Sequence, residues 1–348
     1  MKAKFQISNK KIITEISEPY IIAEACINHE GNIKIAKKMI DEASNAGVSA
    51  VKFQFHVLED EMLKVTPKSK NFKESLFKTL DRTNLNIKEH IYLKKYCERK
   101  NVDYLCTPFS FKSADILEKD VKLKFFKVGS GELTNIPLQI YIAKKKKPTI
   151  ISTGMSTMKE VEYTFNKVYK LNKNIALTQC TSSYPCDPRI SDLNVIKLYS
   201  KKFNVISGLS DHTSDIFTSL GGIALGAKII EKHFTLNKKA KGPDHASSLE
   251  PHELKQLVRG SRDIFYATRN NEKIIHKEER QIIKWARESV VSITNIKKGD
   301  VLDNRNITVK RPAPNSNEIP AKDYFKLINK KAKVNILKNK KLKWHQIK

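Results

Sequence analysis

NVISGLSDHT (Asn204–Thr213), a Gly/Ala/Ser-rich run of helical length, AKIIEKHFTL (Ala227–Leu236) and KGPDH (Lys241–His245) follow one another near the middle of the chain. Val205–Ser207 and Ile229–Ile230 read as β-branched strand cores, and each runs into a polar turn bearing a histidine. Strand, helix, strand with both polar turns at the carboxyl ends is a βαβ unit. In an open α/β sheet or a (β/α)8 barrel, ligands bind at that edge. Neighbouring strands lie about 4.8 Å apart, so His212 and His233 can converge on one divalent metal ion. Asp211, Glu231, Asp244 and His245 stand close by in sequence. A single histidine at a strand end is more often a satisfied polar residue than a ligand, but here two occur on consecutive units.

The same alternation extends in both directions. Upstream, Tyr20–Ala25 reads as a buried strand delivering Glu24, Asn28 and His29, followed by a helix ending at Gly47. AVKFQFH (50–56) is a strand presenting Lys52, Gln54 and His56, then comes a polar loop over about residues 58–73 with the character of a lid, then a helix over 87–100. DYLCTPFS (103–110), LKFFKVGSGE (123–132), PTIISTGMS (148–156) and NIALTQCTSSYP (174–185) complete eight βα units. Near-continuous apolar strands separated by helices indicate a parallel sheet covered on both faces. Eight such units in about 250 residues match a TIM barrel, with a doubly wound sheet as the alternative. Residues 4–17 suit an entry hairpin.

From about Tyr266 the pattern changes. We expect a barrel domain over 1–265, a charged linker over 266–287 and a small β-rich module over 288–348. Within that module IKKGDVLDNRNI (296–307) and ILKNKKLKWHQI (336–347) form a near-repeat pairing Ile296/Ile336, Leu302/Leu342 and Ile307/Ile347, which points to a pseudo-twofold.

A chain of 348 residues is long enough for one large and one small domain. No window has the length and apolarity of a membrane span and no N-terminal run resembles a signal peptide, so we expect a cytoplasmic protein that does not engage membranes. The five cysteines lack the paired spacing of a zinc site and read as free thiols. The net charge of +28 raises the alternative of a basic nucleic-acid-binding protein on an inactive barrel. Yet the lysines are scattered, no lysine run is interleaved with aromatics, and we expect no nucleic-acid partner. A basic field favours small anionic substrates instead.

Gathering the strand ends gives Lys52, Lys127, Ser130, Ser152, Ser182 and Ser210, ammonium and hydroxyl groups suited to a phosphate-bearing carboxylic acid. Gly129, Gly131, Gly154 and Gly208 would let backbone N–H groups approach its oxygens. A lysine at the end of a buried strand is costly unless it has a partner, which makes Lys52 and Lys127 the stronger signals. Glu24, Glu132 and Asp244 are candidate acid/base groups.

IIAEACINHEG, VKFQFH, TPFS, KVGSGE, STGMS, CTSSYP, GLSDHT, EKHF, GPDH and VKRPAP, in this order from about Tyr20 to the C-terminus, resemble the motifs of the N-acetylneuraminate (sialic acid) synthase family. The resemblance implies a TIM barrel followed by a small antifreeze-like SAF domain, in a domain-swapped homodimer. It implies condensation of phosphoenolpyruvate (PEP) with an open-chain, N-acetylated mannosamine-type sugar. In that reaction C3 of PEP attacks the sugar aldehyde, water adds at C2, and phosphate leaves by C–O cleavage. It makes His212 and His233 ligands of a divalent metal, Mn2+ first, with Mg2+ or Co2+ as alternatives and Glu231 nearby. Lys52, Thr107, Lys127, Ser130, Ser152, Ser182 and Ser210 would hold PEP, although Ser182 stands where one branch has asparagine. Gln54, Tyr184 and Asp244 would hold the sugar, and Arg311 its N-acetyl group from across the dimer. Glu132 is the first candidate for handling the protons of the water. Leu133 and the ASSLEP run (246–251) resemble the legionaminate-type synthases, which act on a 6-deoxy diacetamido sugar.

Overall fold

The computed structural model describes residues 3–65 and 74–348 and divides into two compact units, Met1–Arg269 and Asn270–Lys348. The expected lid lies partly outside the described residues; of its earlier part, Leu58–Glu61 is a short helix.

The first unit opens with an antiparallel hairpin, β1 (Lys4–Ser8) and β2 (Lys11–Thr14). Eight parallel strands follow: β3 (Tyr20–Cys26), β4 (Ala50–Phe55), β5 (Asp103–Pro108), β6 (Phe126–Val128), β7 (Thr149–Ser152), β8 (Ile175–Cys180), β9 (Ile206–Asp211) and β10 (Ile229–His233). They hydrogen-bond in the order β5-β4-β3-β10-β9-β8-β7-β6, and β6 lies beside β5, so the sheet curls into a TIM-type barrel. The connecting helices follow local signals. The helix Ile33–Ala46 starts on Asn32, whose side chain accepts the N–H groups of Lys34 and Ile35, and stops at Gly47, where φ is 85°.

Side chains alternate across each strand, and this parity sorts the chain into layers. Outward residues such as Val51, Phe53, Val128, Leu177 and Ile230 pack against the helices in the main core. Inward, the lower turns are apolar: Ile22, Ala50, Leu105, Phe125, Ile150, Ala176, Ile206 and Ile229 join Phe5, Ile7 and Ile13 of the hairpin. The hairpin therefore plugs the amino-terminal end of the barrel. Two residues further along, the inward positions turn polar. Gly208 lies at a close approach of β9 to β10, where a Cβ would collide with the Ile229 carbonyl oxygen. The glycine is required by this strand packing.

A fully buried ion pair also sits outside the lumen. Lys232 is fully buried, 3.0 Å from Asp211, and donates to the Thr213 carbonyl at 2.6 Å. Asp211 also accepts from Thr218 and Ser219. Burial disfavours its charge, but Lys232 and these donors hold its pKa below the ordinary value. Lys232→Met should cost about 3–5 kcal/mol by stranding a buried carboxylate. Urea denaturation measures it, and a loss under about 1 kcal/mol would show the pair to be dispensable.

The second unit holds the helix Glu279–Ala286 and one regular pair, β11 (Ser289–Ser292) with β12 (Ile307–Lys310). The helix falls within the expected linker, and its Lys284 carbonyl accepts the N–H of Ala313 at 3.1 Å. The rest of the unit's β character is isolated bridges. Ile296 and Ile336 exchange both backbone hydrogen bonds at 2.8 Å, and all six residues of the near-repeat lie in one core. Among the described residues no helix is long and apolar enough to cross a membrane.

Candidate active site

The carboxyl ends of the barrel strands surround a cavity of about 600 Å³. Glu24, Lys52, Gln54, Thr107, Lys127, Ser130, Glu132, Ser152, Ser182, Tyr184, Ser210, His212, His233 and Asp244 all line it. Arg311 belongs to the second unit, is exposed and follows β12.

The deepest polar layer is a charge cluster. Lys52 Nζ lies 2.8 Å from Glu24 and 3.6 Å from Glu231, and donates to Thr107 Oγ1 at 3.2 Å. Lys127 Nζ lies 3.6 Å from the same Glu231 oxygen and donates to Ser152 Oγ at 2.6 Å. Glu231 therefore sits between two lysines and also accepts from Ser210 Oγ. Burial opposes the charge of each of these groups, and their partners decide the balance. Lys127 is lowered by its desolvation, whereas for Lys52 the two carboxylates outweigh it and its pKa rises. Glu231 is held below its ordinary value, mainly by Lys127 and Lys52. Burial lifts Glu24 to about 7 despite Lys52. With Glu24 protonated, two ammonium groups face one carboxylate, so the layer carries net positive charge toward an entering anion.

Above it lies the histidine layer. β10 aligns His233 with Glu24 of β3. The ring centres of His212 and His233 are 5.2 Å apart, and the Tyr184 ring lies 4.2 Å from that of His212. His212 Nδ1 is 2.8 Å from the Thr181 carbonyl, so it carries the proton and leaves Nε2 as an acceptor, the arrangement common in metal-ligating histidines. His233 Nδ1 is buried with no hydrogen-bond partner among the described residues. An orphaned imidazole nitrogen beside a second imidazole and a carboxylate fits a divalent cation.

On the rim, Glu132 Oε2 is buried with no hydrogen-bond partner among the described residues, and burial lifts its carboxyl to about 7. Gly154 donates its N–H to Ser130 Oγ at 3.0 Å, and a Cβ at Gly154 would collide with Ser182 Oγ. Its N–H is therefore engaged by the serine, and the glycine allows Ser130 and Ser182 to approach its backbone closely.

Other polar residues near the strand ends do not face the cavity. Asp211 turns outward to Lys232, and His245 Nδ1 bonds Thr235 Oγ1 at 2.7 Å. Asn28 ties the Phe234 carbonyl to Ser248 Oγ, and His29 is buried against the Gly31 N–H. Leu133 is 1% exposed and packs in the barrel–helix core, so its apolarity says nothing about the sugar.

His56, expected at the end of its strand, lines the cavity, with its Nε2 3.1 Å from Gln54 Oε1. The cavity also holds residues that strand patterning did not single out: Cys26, Cys180 and Glu61, the last linked to His56 Nδ1 at 2.7 Å. Ile27, Met62, Leu76, Leu80, Phe109 and Met155 form an apolar part of the wall. Strand alternation does not account for Cys26, because the register shifts between Glu24 and Cys26 and φ at Cys26 is 45°.

Residues 39–273 match the NeuB family and residues 287–348 the SAF domain. The chain is 39% identical over 324 residues to the N,N'-diacetyllegionaminic acid synthase of Campylobacter jejuni, covering 90% of this chain and 96% of that one. It is 34% identical over 323 residues to human N-acetylneuraminate-9-phosphate synthase, covering 91% and 89%. The crystal structure of N-acetylneuraminic acid synthetase from Leptospira borgpetersenii superposes with a TM-score of 0.71 at 29% identity, over 81% of this chain and 97% of that one.

Proposed function

The chain belongs to the NeuB family, a family of synthases, and from that premise we propose that its cavity joins PEP to an open-chain, N-acetylated mannosamine-type sugar, giving N-acetylneuraminate or a close relative. The observation that carries this reading is the buried Lys52–Glu231–Lys127 cluster at the floor of the cavity, beneath two histidines. Two ammonium groups and the hydroxyls of Thr107, Ser152 and Ser210 suit the phosphate and carboxylate of PEP. Ser130 and Ser182 lie on the wall above and extend the same donor set. A divalent cation held by His212 and His233, Mn2+ in the first instance, would polarise the sugar aldehyde as a Lewis acid.

Glu132 is assigned the proton of the water that adds at C2 of PEP. A carboxyl lifted to about 7 can take or return a proton near neutral pH. Glu24, raised by burial to the same range, adjusts the charge of the PEP layer. Asp244, Gln54 and Tyr184 orient the sugar hydroxyls, with Gln54 fixed by His56 and Glu61. In the proposed homodimer Arg311 of one protomer serves the sugar site of its partner. Five buried free thiols support a reducing, cytoplasmic setting. The nucleic-acid alternative has no support from this family.

A second reading of the sugar is favoured by the apolar wall, which suits the methyl group of 2,4-diacetamido-2,4,6-trideoxymannose, the legionaminate-type acceptor. Phosphate release from PEP with Mn2+ separates the two. N-acetylmannosamine should support turnover; a clear preference for the deoxy sugar would move the assignment to the second reading. Release with neither sugar would overturn both.

A further inference from the structure

Cys26 ends β3 in a left-handed backbone conformation, φ 45°, at a shift in the β3–β4 register between Glu24 and Cys26. Left-handed φ is unusual for a residue with a Cβ and persists where the surroundings enforce it. This turn places Cys26 in the cavity wall beside the histidine layer. One potential ligand atom from each of Cys26, His233 and Asp244 lies within 4.8 Å of the others. An ion about 2.0–2.3 Å from each requires separations of no more than about 4.5 Å, so small side-chain rotations close the set. His233 is 7% exposed, and its Nδ1 makes no hydrogen bond among the described residues.

We propose that Cys26 is a metal ligand of this chain, completing with His233 and Asp244 a sulfur-bearing site that selects a softer cation than oxygen and nitrogen ligands alone would. The inference rests on the metal-bearing reading of the cavity and adds to it the thiolate and the cation class. The S–H bond breaks, its proton leaves to solvent, and the sulfur–metal bond forms with no change of oxidation state. Thiolate ligation favours Zn2+, Co2+ or Fe2+ over Mg2+ and Mn2+. His212, whose ring centre lies 5.2 Å from that of His233, remains the other imidazole ligand of the set.

Metal-stripped full-length protein is titrated with Co2+ and read by absorption. Wild type should show an intense near-ultraviolet band of thiolate-to-cobalt charge transfer. Cys26→Ser should still bind Co2+ but lose the band, with affinity lower by about tenfold or more. Cys26→Gly, which tolerates positive φ, should behave alike if serine perturbs the fold. Cys180→Ser should keep the band. Wild-type binding without the band overturns the thiolate and leaves the metal reading intact. A band lost in Cys180→Ser but kept in Cys26→Ser overturns it in favour of the other cysteine. Failure of wild type to bind Co2+ overturns both readings.

Discussion

Lys52→Met is expected to abolish PEP-dependent phosphate release, by about a thousandfold or more, and to lower stability at the same time. The ammonium is the shared partner of Glu24 and Glu231 at 2.8 and 3.6 Å, all three buried. Removing one member of a buried ion cluster costs about 3–5 kcal/mol because a charge is left without its counterion. Glu24 relieves part of this by protonating, since its pKa already stands at about 7 and loses a lowering influence in the variant. A carboxyl whose folded pKa is raised contributes its stability below its unfolded value and loses it as pH rises through the folded one. The deficit should therefore be larger at pH 8 than at pH 6, on the order of 10 °C in Tm at the higher pH. Adding Glu24→Gln should recover most of the Tm and none of the activity. Recovery of both would show that Lys52 only neutralises its neighbour and holds no substrate.

His233→Ala is expected to lose turnover to a similar degree with little change in stability. Its Nδ1 makes no hydrogen bond among the described residues, so deleting the ring strands no buried partner. The loss of several kcal/mol of transition-state stabilisation corresponds to about a thousandfold in rate. Tightly bound metal, measured by elemental analysis after gel filtration, should disappear with it, and His212→Ala should follow the same course. Wild-type enzyme that kept full turnover after exhaustive chelation would remove the metal from the mechanism.

Much of the barrel was legible because period-two burial and strand-ending polar residues are local. Lys52 and Lys127 announced themselves as lysines inside apolar runs, which only a site or an ion pair explains. What escaped depended on contacts distant in sequence. Asp211 stands one residue from His212, yet strand parity turns it outward to Lys232, on the next strand. Leu133 follows the GSGE turn closely but is drawn into the core by the short helix Ser130–Glu132. Cys26 enters the cavity wall through a left-handed turn that no residue preference signals, since the position usually calls for glycine. The near-repeat of the second unit was visible because its pairing partners share a sequence spacing. There, Ile296 and Ile336 meet backbone to backbone.

The hairpin plug below and the polar layers above make the lumen a blind shaft. Under the proposed assignments the small anion belongs at its floor and the larger sugar nearer its opening. A molecule seated at the upper level closes the way to the lower one. The two reactants then queue: the anion descends first, the sugar caps it, and phosphate generated at the floor waits for the upper level to clear.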